Sequence, residues 1–498
     1  MRLLVLIAVA SIFAVAACSS GGDDPKPQST AAFDRDPCWF EEPEGETVKC
    51  GYLTVPEDRE DAGSGTIQLA VAVFSARAEA PAPDPIIYLD GGPGGRTLEL
   101  IPESFGTLID PYLDERDFIA FDQRGVGFSK PNMRCPEIQE LGRYGLQEGY
   151  TETEYVQAVA AAVDSCRIRL RDEGTPSGLA NSAESAADLE DLRLALGYEQ
   201  WNLYGISYGT RLALTAIREY PNGIRSAVLD SVYPPEVDFV ASGPADFARA
   251  LNVLFQDCAA DSGCASAYPD LEGTLNRTVQ RLNEEQPVVP LPGELESYFE
   301  GVTLTGETLL SMVFSALYVQ ELLGQLPAII TEVSDGNYER AALVAASLEL
   351  SFEYLDYGMY LSVQCTEEVP FVSRDETLRV LGENPEVASA YYGEPDVSID
   401  ACEAFGVEPA NPIENEPVES NVPILVTAGS YDPITPPEWG RGVADRFETA
   451  NYFEFPGDGH AVTTANECAE KLVTSFLRAP DQEPYNTCMD EQAPPDFQ

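Results

Sequence analysis

The chain has 498 residues and a formal net charge of -55, because 84 acidic residues outnumber 29 lysines and arginines. Such an acidic balance excludes a nucleic-acid-binding role, since phosphate backbones are bound by clustered positive charge. At this length the chain can bury one large core and still carry an inserted domain.

The N-terminus has the pattern of an export signal. Arg2 is followed by an apolar run over 3–17, which is short for a membrane span but typical of a secretory signal peptide. The run ends in Val15-Ala16-Ala17-Cys18, which resembles the bacterial lipobox, whose cysteine is diacylated. We expect a lipoprotein signal peptide over 1–17, a lipid anchor at Cys18 in the bacterial cell envelope, and a flexible Ser/Gly/Asp/Pro-rich tether over 18–35. An ordinary signal peptide followed by a structural cysteine is the alternative.

The cysteine content indicates an oxidising compartment. The chain has 11 cysteines, and ten remain to pair when Cys18 is set aside. The sequence does not fix their connectivity, but pairing neighbours gives short loops throughout. These pairs are Cys38–Cys50, Cys135–Cys166, Cys258–Cys264, Cys365–Cys402 and Cys468–Cys488. A metal site is disfavoured, because the chain has no CxxC pair and one histidine.

Short apolar runs predict the strands of a mostly parallel sheet, because strands buried on both faces are apolar throughout. An alternating segment over 67–73 predicts a half-buried strand, and a helix is expected from Ser182 to Leu196, ended by Gly197. The continuous runs lie at 86–89, 118–121, 202–204, 227–229 and 424–426. Strand and helix alternate to about residue 235 and resume at about 420, which is typical of a doubly wound α/β sheet.

The intervening stretch has few strand signals, and its apolar residues recur at helical spacing. We therefore expect three parts: a first core segment over 36–235, a mainly helical cap over 236–419, and a second core segment over 420–498.

A candidate nucleophile lies between a strand and a helix. Gly205-Ile206-Ser207-Tyr208-Gly209 follows the apolar residues 201–204 and precedes a helical pattern that ends at Pro221. Strand, sharp turn and helix around a G-x-S-x-G sequence define a nucleophile elbow, in which flanking side chains would clash. Ser207 is therefore the predicted nucleophile.

The hydroxyl of a serine needs a base, and the sequence offers a single imidazole. His460 follows the strand-like residues 452–455 in a glycine-flanked loop, so we expect it to be the base. A carboxylate should orient its ring, and Asp432 follows the apolar run 424–426 in the chain order Ser, Asp, His. Asp230, at the end of another strand, and Asp458 are the alternatives. The Thr435-Pro436-Pro437-Glu438 pattern predicts a helix N-cap at Thr435.

A tetrahedral intermediate requires two backbone N–H donors. We expect one from Tyr208, the residue after the nucleophile. The other is expected from Gly92, in the glycine-rich loop 90–95 that follows the strand 86–89.

Together these segments resemble the proline-iminopeptidase and tripeptidyl-aminopeptidase-like branch of the α/β-hydrolases, over nearly the whole mature chain. The matching stretches are 50–56, 91–94, 122–129, 205–209, 258–264, 429–433 and 457–460. One position departs from the family, since Asp90 stands where the glycine-rich loop usually begins with histidine. The resemblance implies an α/β-hydrolase fold with a doubly wound, mostly parallel sheet and an inserted helical cap.

The resemblance also implies a serine exopeptidase that releases tripeptides or short units from peptides with a free N-terminus, without a metal or organic cofactor. Family members bind the substrate's ammonium through acidic residues of the cap, and we expect Glu367 or Glu368, beside Cys365, to do so here. A solvated acidic pair is the alternative for these two residues. Two other functions remain open: a carboxylesterase or lipase with the same triad, and a catalytically silent binding lipoprotein.

Overall fold

A computed structural model describes residues 31–61, 63–148, 152–391 and 393–498. The predicted signal peptide (1–17), the lipid anchor at Cys18 and the tether up to residue 30 lie outside the described residues and stay predictions. The tether was expected to reach residue 35, but Ala32–Arg35 forms a strand. Phe33 on this strand packs against the core, and its strand pairs with Val48–Pro56, which explains the earlier start of the folded part.

The described residues form eleven strands, nine of them in one sheet. The strands are β1 (Ala32–Arg35), β2 (Val48–Pro56), β3 (Thr66–Phe74), β4 (Ile86–Leu89), β5 (Phe118–Phe121), β6 (Trp201–Ile206), β7 (Ile224–Asp230), β8 (Val288–Val289), β9 (Val302–Thr303), β10 (Ile424–Gly429) and β11 (Ala450–Phe455). The order across the large sheet is β1-β2-β3-β5-β4-β6-β7-β10-β11. The first three strands run antiparallel to their neighbours, and all pairs from β5 to β11 are parallel.

The helices precede, cover or connect these strands. In chain order they are α1 (Thr97–Leu108), α2 (Pro136–Glu148), α3 (Glu152–Glu173), α4 (Ser182–Leu196), α5 (Tyr208–Glu219), α6 (Phe239–Ala260), α7 (Ser262–Ala267), α8 (Leu271–Glu285), α9 (Gly306–Leu317), α10 (Gln320–Leu323), α11 (Leu326–Ser334), α12 (Glu339–Ser351), α13 (Tyr357–Val363), α14 (Arg374–Glu383), α15 (Asp396–Phe405), α16 (Pro437–Ala444), α17 (Val462–Ala465) and α18 (Glu467–Arg478). No helix in the described part of the chain is long and apolar enough to cross a membrane.

Both faces of the sheet are covered, as a doubly wound sheet requires. One face packs against apolar side chains of α4, α5 and α16, and the other against those of α1 and α18. Strands β4, β5, β6 and β10 are buried along their whole length, which explains their continuous apolar sequences. The predicted α/β-hydrolase sheet is thus present.

The segment between β7 and β10 is mainly helical, with β8 and β9 as a small two-stranded addition. It has its own buried apolar cluster, built largely from α6, α8, α9, α11 and α12. Helices α2 and α3 belong by sequence to the first core segment, yet α3 packs on α15 and α2 packs on β9 and α12. The cap layer therefore draws on two separate parts of the chain.

The five disulfides join the neighbouring cysteines that the sequence analysis paired. They are Cys38–Cys50, Cys135–Cys166, Cys258–Cys264, Cys365–Cys402 and Cys468–Cys488.

Candidate active site

Ser207 sits on a sharp turn between β6 and α5. Its φ of 57° is in the left-handed region that non-glycine residues rarely adopt. A Cβ at position 205 would lie 2.5 Å from the carbonyl oxygen of Gly209, and one at position 209 would collide with the end of β4. The turn therefore needs both glycines. The hydroxyl of Ser207 caps no helix amide, so it is free for other chemistry.

Asp432 and His460 form the acid–base pair expected from the sequence. The Nδ1 atom of His460 lies 2.8 Å from Oδ2 of Asp432. Asp432 is fully buried, while the imidazole keeps slight exposure. The other oxygen of Asp432 accepts the backbone N–H groups of Ile434 and Thr435, at 3.0 and 2.9 Å. These bonds fix the carboxylate with one oxygen directed at the ring.

Thr435 contacts both members of this pair. Its prediction as a helix N-cap is wrong. Its hydroxyl donates to Oδ2 of Asp432 at 2.6 Å and lies 3.1 Å from Nδ1 of His460. Helix α16 starts two residues later, after Pro436, without a side-chain cap. The hydroxyl donates its proton to the buried carboxylate, and a hydrogen bond to a charged acceptor is stronger than one between neutral groups.

The electrostatics favour a negative acid and a basic imidazole. Burial would raise the pKa of Asp432, but His460 and Thr435 hold it below its ordinary value. Burial would lower the pKa of His460, but Asp432, at hydrogen-bonding distance, and Asp230, nearby, raise it above its ordinary value. The ring therefore takes up a proton more readily than a free imidazole.

The two alternative carboxylates are engaged elsewhere. Asp230 accepts hydrogen bonds from the backbone and hydroxyl of Thr463, at 2.8 and 2.5 Å. Asp458 accepts from the side chain of Asn466 at 2.8 Å. Of the three candidates, Asp432 is the one bonded to His460.

The nucleophile and the acid–base pair share one edge of the sheet. Strands β6, β7, β10 and β11 are adjacent and parallel, so Ser207, Asp432 and His460 all follow carboxyl ends at the same edge. In the described part of the chain no hydrogen bond joins Ser207 Oγ to His460. Catalytic contacts of this kind often tighten only when substrate binds.

Two backbone donors lie at the expected places. The N–H of Tyr208, the first residue of α5, has no acceptor within its helix, since the first amides of a helix lack one. In the glycine-rich loop, the N–H of Gly91 donates to the Asp90 carboxylate at 2.8 Å. The N–H of Gly95 donates to the carbonyl of Gly91, at 3.1 Å, whereas the amides of Gly92 and Gly94 donate to no acceptor among the described residues, so the expected donor Gly92 is available.

Asp90, which replaces the family's histidine, organises this loop. Its carboxylate accepts hydrogen bonds from Tyr88, Gly91 and Thr97, at 3.0, 2.8 and 3.0 Å. Burial raises the pKa of Asp90, and these three donors oppose the rise. These three hydrogen bonds anchor the loop through the Asp90 carboxylate.

Glu367 and Glu368 are buried and are therefore not a solvated pair. Both are buried against the fully buried guanidinium of Arg211, with distances of 3.2 and 2.7 Å. Glu367 also accepts from the hydroxyl of Ser182 at 2.7 Å and from its backbone, at the start of α4. Their predicted contact with a substrate ammonium is therefore corrected: these carboxylates neutralise Arg211 behind the elbow helix.

A cavity of about 290 Å³ meets the acid loop at Pro433 and Ile434. Its wall is largely aromatic and aliphatic. Glu394 also lines it, with Oε1 accepting from Ser398 at 2.8 Å and Oε2 buried without a partner among the described residues. Burial raises the pKa of Glu394. This residue was not predictable from the sequence, since its unpaired oxygen becomes visible only in the folded chain. The aromatic residues of the wall are Tyr155, Phe239, Phe314, Tyr357, Tyr360 and Tyr391.

The cap also holds the loops of the acid–base pair. The backbone N–H of His460 donates to the carbonyl of Tyr318 at 3.2 Å, and the two rings lie 4.9 Å apart. Arg249, on α6, donates to the carbonyls of Ser430, at 2.7 Å, and Asp432. The cap therefore supports the acid and base directly.

This fold and this site define an α/β-hydrolase of the serine type. Residues 84–277 match the family described as "alpha/beta hydrolase fold", and residues 389–488 match the "TAP-like protein" family. Both matches support a relationship to the TAP-like α/β-hydrolase family.

Three named relatives are similar to this chain over most of its length. The serine protease Hip1 of Mycobacterium tuberculosis is 25% identical, over 86% of this chain and 84% of the relative. The tripeptidyl aminopeptidase of Streptomyces coelicolor is also 25% identical, over 86% of this chain and 81% of its own length. A carboxylesterase B of Mycobacterium tuberculosis is 27% identical, over 86% of this chain and 84% of the relative.

Proposed function

We propose that the protein is a serine exopeptidase that removes short units from peptides with a free N-terminus. The observation that carries this proposal is the 2.8 Å hydrogen bond between Asp432 and the chain's single histidine. It lies at the sheet edge where Ser207 occupies the turn of the nucleophile elbow. The match to TAP-like proteins and the relative named tripeptidyl aminopeptidase support the peptide substrate.

The reaction follows from the roles of the three side chains. His460 accepts the proton of Ser207 as the hydroxyl attacks the scissile carbonyl, and Asp432 stabilises the imidazolium that forms. The amides of Tyr208 and Gly92 donate to the oxyanion. His460 then protonates the departing amine, and water, activated by the same imidazole, hydrolyses the acyl-enzyme.

The cavity at the acid loop suits the part of the substrate on the N-terminal side of the scissile bond. Its apolar wall favours hydrophobic side chains. The unpaired oxygen of Glu394 favours a positive group, because a buried carboxylate is costly without a countercharge. A free N-terminal ammonium supplies both a charge and hydrogen-bond donors, so we assign its recognition to Glu394.

The test compares a tripeptide anilide with apolar residues and a free amine, its N-acetylated form, and a short acyl ester. The wild-type protein is expected to cleave the free-amine anilide best. Glu394→Gln is expected to lower kcat/KM for that substrate about 10- to 100-fold, because one charge-assisted hydrogen bond is lost. The same change should leave the ester nearly unaffected. Initial rates with each substrate give kcat/KM.

Glu403→Gln, at an exposed position on α15 that does not line the cavity, removes one negative charge and serves as the control. It is expected to match the wild-type protein on all three substrates. Rapid ester turnover with no anilide cleavage by the wild-type protein would instead identify a carboxylesterase, the function named for one relative.

We further propose that the enzyme acts outside the cytoplasm, anchored through Cys18. The five disulfides support an oxidising compartment. In fractionated bacterial cells, Cys18→Ser is expected to move the protein from the membrane pellet to the soluble fraction, because the acyl chains are missing. A pellet fraction equal to that of the wild-type protein would contradict lipid anchoring.

A further inference from the structure

Two consecutive residues at the end of β7 lie between the nucleophile and the base. Asp230 and Ser231 are both fully buried. The carbonyl of Asp230 accepts the backbone N–H of Ser207 at 3.0 Å, and the N–H of Ser231 donates to Thr427 on β10 at 3.0 Å. This pair is therefore fixed to the elbow on one side and to the strand of the catalytic acid on the other.

The side chain of Ser231 reaches the base segment. Its hydroxyl accepts the backbone N–H of Ala461, the residue after His460, at 2.9 Å. Ser231 and Ala461 have φ values of 56° and 60°, in the same left-handed region as Ser207. Non-glycine residues rarely adopt this region, so the surrounding contacts must hold them there.

The carboxylate of Asp230 binds the same segment two residues further on. It accepts the N–H and the hydroxyl of Thr463, at 2.8 and 2.5 Å, at the start of α17. The same hydroxyl of Thr463 lies 2.6 Å from the phenol of Tyr204 on β6. Both side chains of the pair thus bind the segment 461–463 that immediately follows His460.

We propose that Asp230 and Ser231 are positioning residues, which set the distance and orientation of His460 relative to Ser207. This inference rests on the proposed role of His460 as the base. A base must lie within hydrogen-bond reach of the proton it accepts, and small displacements slow proton transfer strongly. Because one dipeptide contacts both the elbow and the base segment, it fixes the position of the base segment relative to the elbow.

The charge of Asp230 also predicts a measurable effect on the pKa of His460. The His460 ring contacts Asp432 and Thr435 from the acid loop and the Tyr318 ring from the cap, and Asp230 from β7 acts on it electrostatically. Two of these groups are carboxylates, and both favour the protonated ring. Removing one of them should therefore let the ring lose its proton at lower pH.

Two variants test the proposal in the full-length protein, with the free-amine anilide as substrate. Ser231→Gly removes the hydroxyl, while glycine adopts the positive φ without strain. We expect kcat to fall about 10- to 100-fold, with KM changed by less than about threefold. Asp230→Asn is expected to move the acid limb of kcat/KM to lower pH, which a purely structural role would not do.

Ser226→Ala is the matched control, since this buried serine lies on the same strand and bonds Asn202 at 2.7 Å. It should keep the wild-type kcat and pH profile. Thermal unfolding checks that each variant folds. If Asp230→Asn does not fold, Thr463→Val removes the hydroxyl that Asp230 accepts while keeping the carboxylate, and it tests positioning through a lowered kcat alone. A wild-type kcat in Ser231→Gly together with an unmoved acid limb would overturn the inference. Activity retained by His460→Ala would overturn the proposed function itself.

Discussion

Ser207→Ala is expected to lower kcat about 10⁵- to 10⁶-fold and leave the fold unchanged. The loss follows because no acyl-enzyme can form without the hydroxyl. The fold should persist because this hydroxyl caps no helix amide. Alanine at position 207 is under the same backbone constraint as serine, whose φ there is 57°. Single-turnover kinetics with the free-amine anilide measure the loss, and labelling with a fluorophosphonate probe reports the nucleophile directly.

Ser185→Ala is the control for Ser207→Ala. Ser185 is buried on the adjacent helix α4, and its hydroxyl has no partner among the described residues. Its removal is expected to leave kcat and labelling at wild-type levels. Equal labelling of Ser207→Ala and the wild-type protein would show that another residue is the nucleophile.

His460→Ala is expected to lower kcat by a similar factor, because the chain has no second imidazole to replace it. Protonation should have the same consequence in the wild-type protein. Asp432 and Asp230 raise the pKa of His460, so the neutral base is lost at a higher pH than for an ordinary imidazole. We therefore expect kcat/KM to fall with decreasing pH through one ionisation above about 6.5.

The pH dependence of kcat/KM, measured with the short acyl ester so that Glu394 does not contribute, checks the second half of this prediction. Circular dichroism over the same range separates titration of the base from acid unfolding. Full activity of the folded protein at pH values well below an ordinary imidazole pKa would contradict a histidine base.

Much of the sheet could be predicted because its central strands are buried on both faces. The apolar runs 86–89 and 118–121 coincide with β4 and β5, and the helix predicted from Ser182 to Leu196 coincides with α4. Strand β2 was missed because Lys49 and Gly51 interrupt its apolar pattern. Gly51 is explained only by the pairing with β1, since a Cβ there would collide with the backbone of Asp34.

The three catalytic residues were predictable because their order in the chain and their positions after strands indicate where they lie in the fold. Ser207, Asp432 and His460 each follow a recognisable strand, so their shared edge follows from parallel pairing. The partner of Glu367 was not predictable in this way, because Arg211 lies 156 residues earlier in the chain. An exposed acidic pair and a buried one have the same local sequence, and only tertiary packing distinguishes them.

The cap's hold on His460 and Asp432 limits how the enzyme can open. Tyr318 and Arg249 bind the backbones of the base and acid loops from the cap side. A rigid-body movement of the whole cap away from the sheet would therefore displace these loops. Peptides must enter through smaller movements of segments that leave both contacts intact, and an enzyme trimmed of its cap would lose its chemistry along with its selectivity.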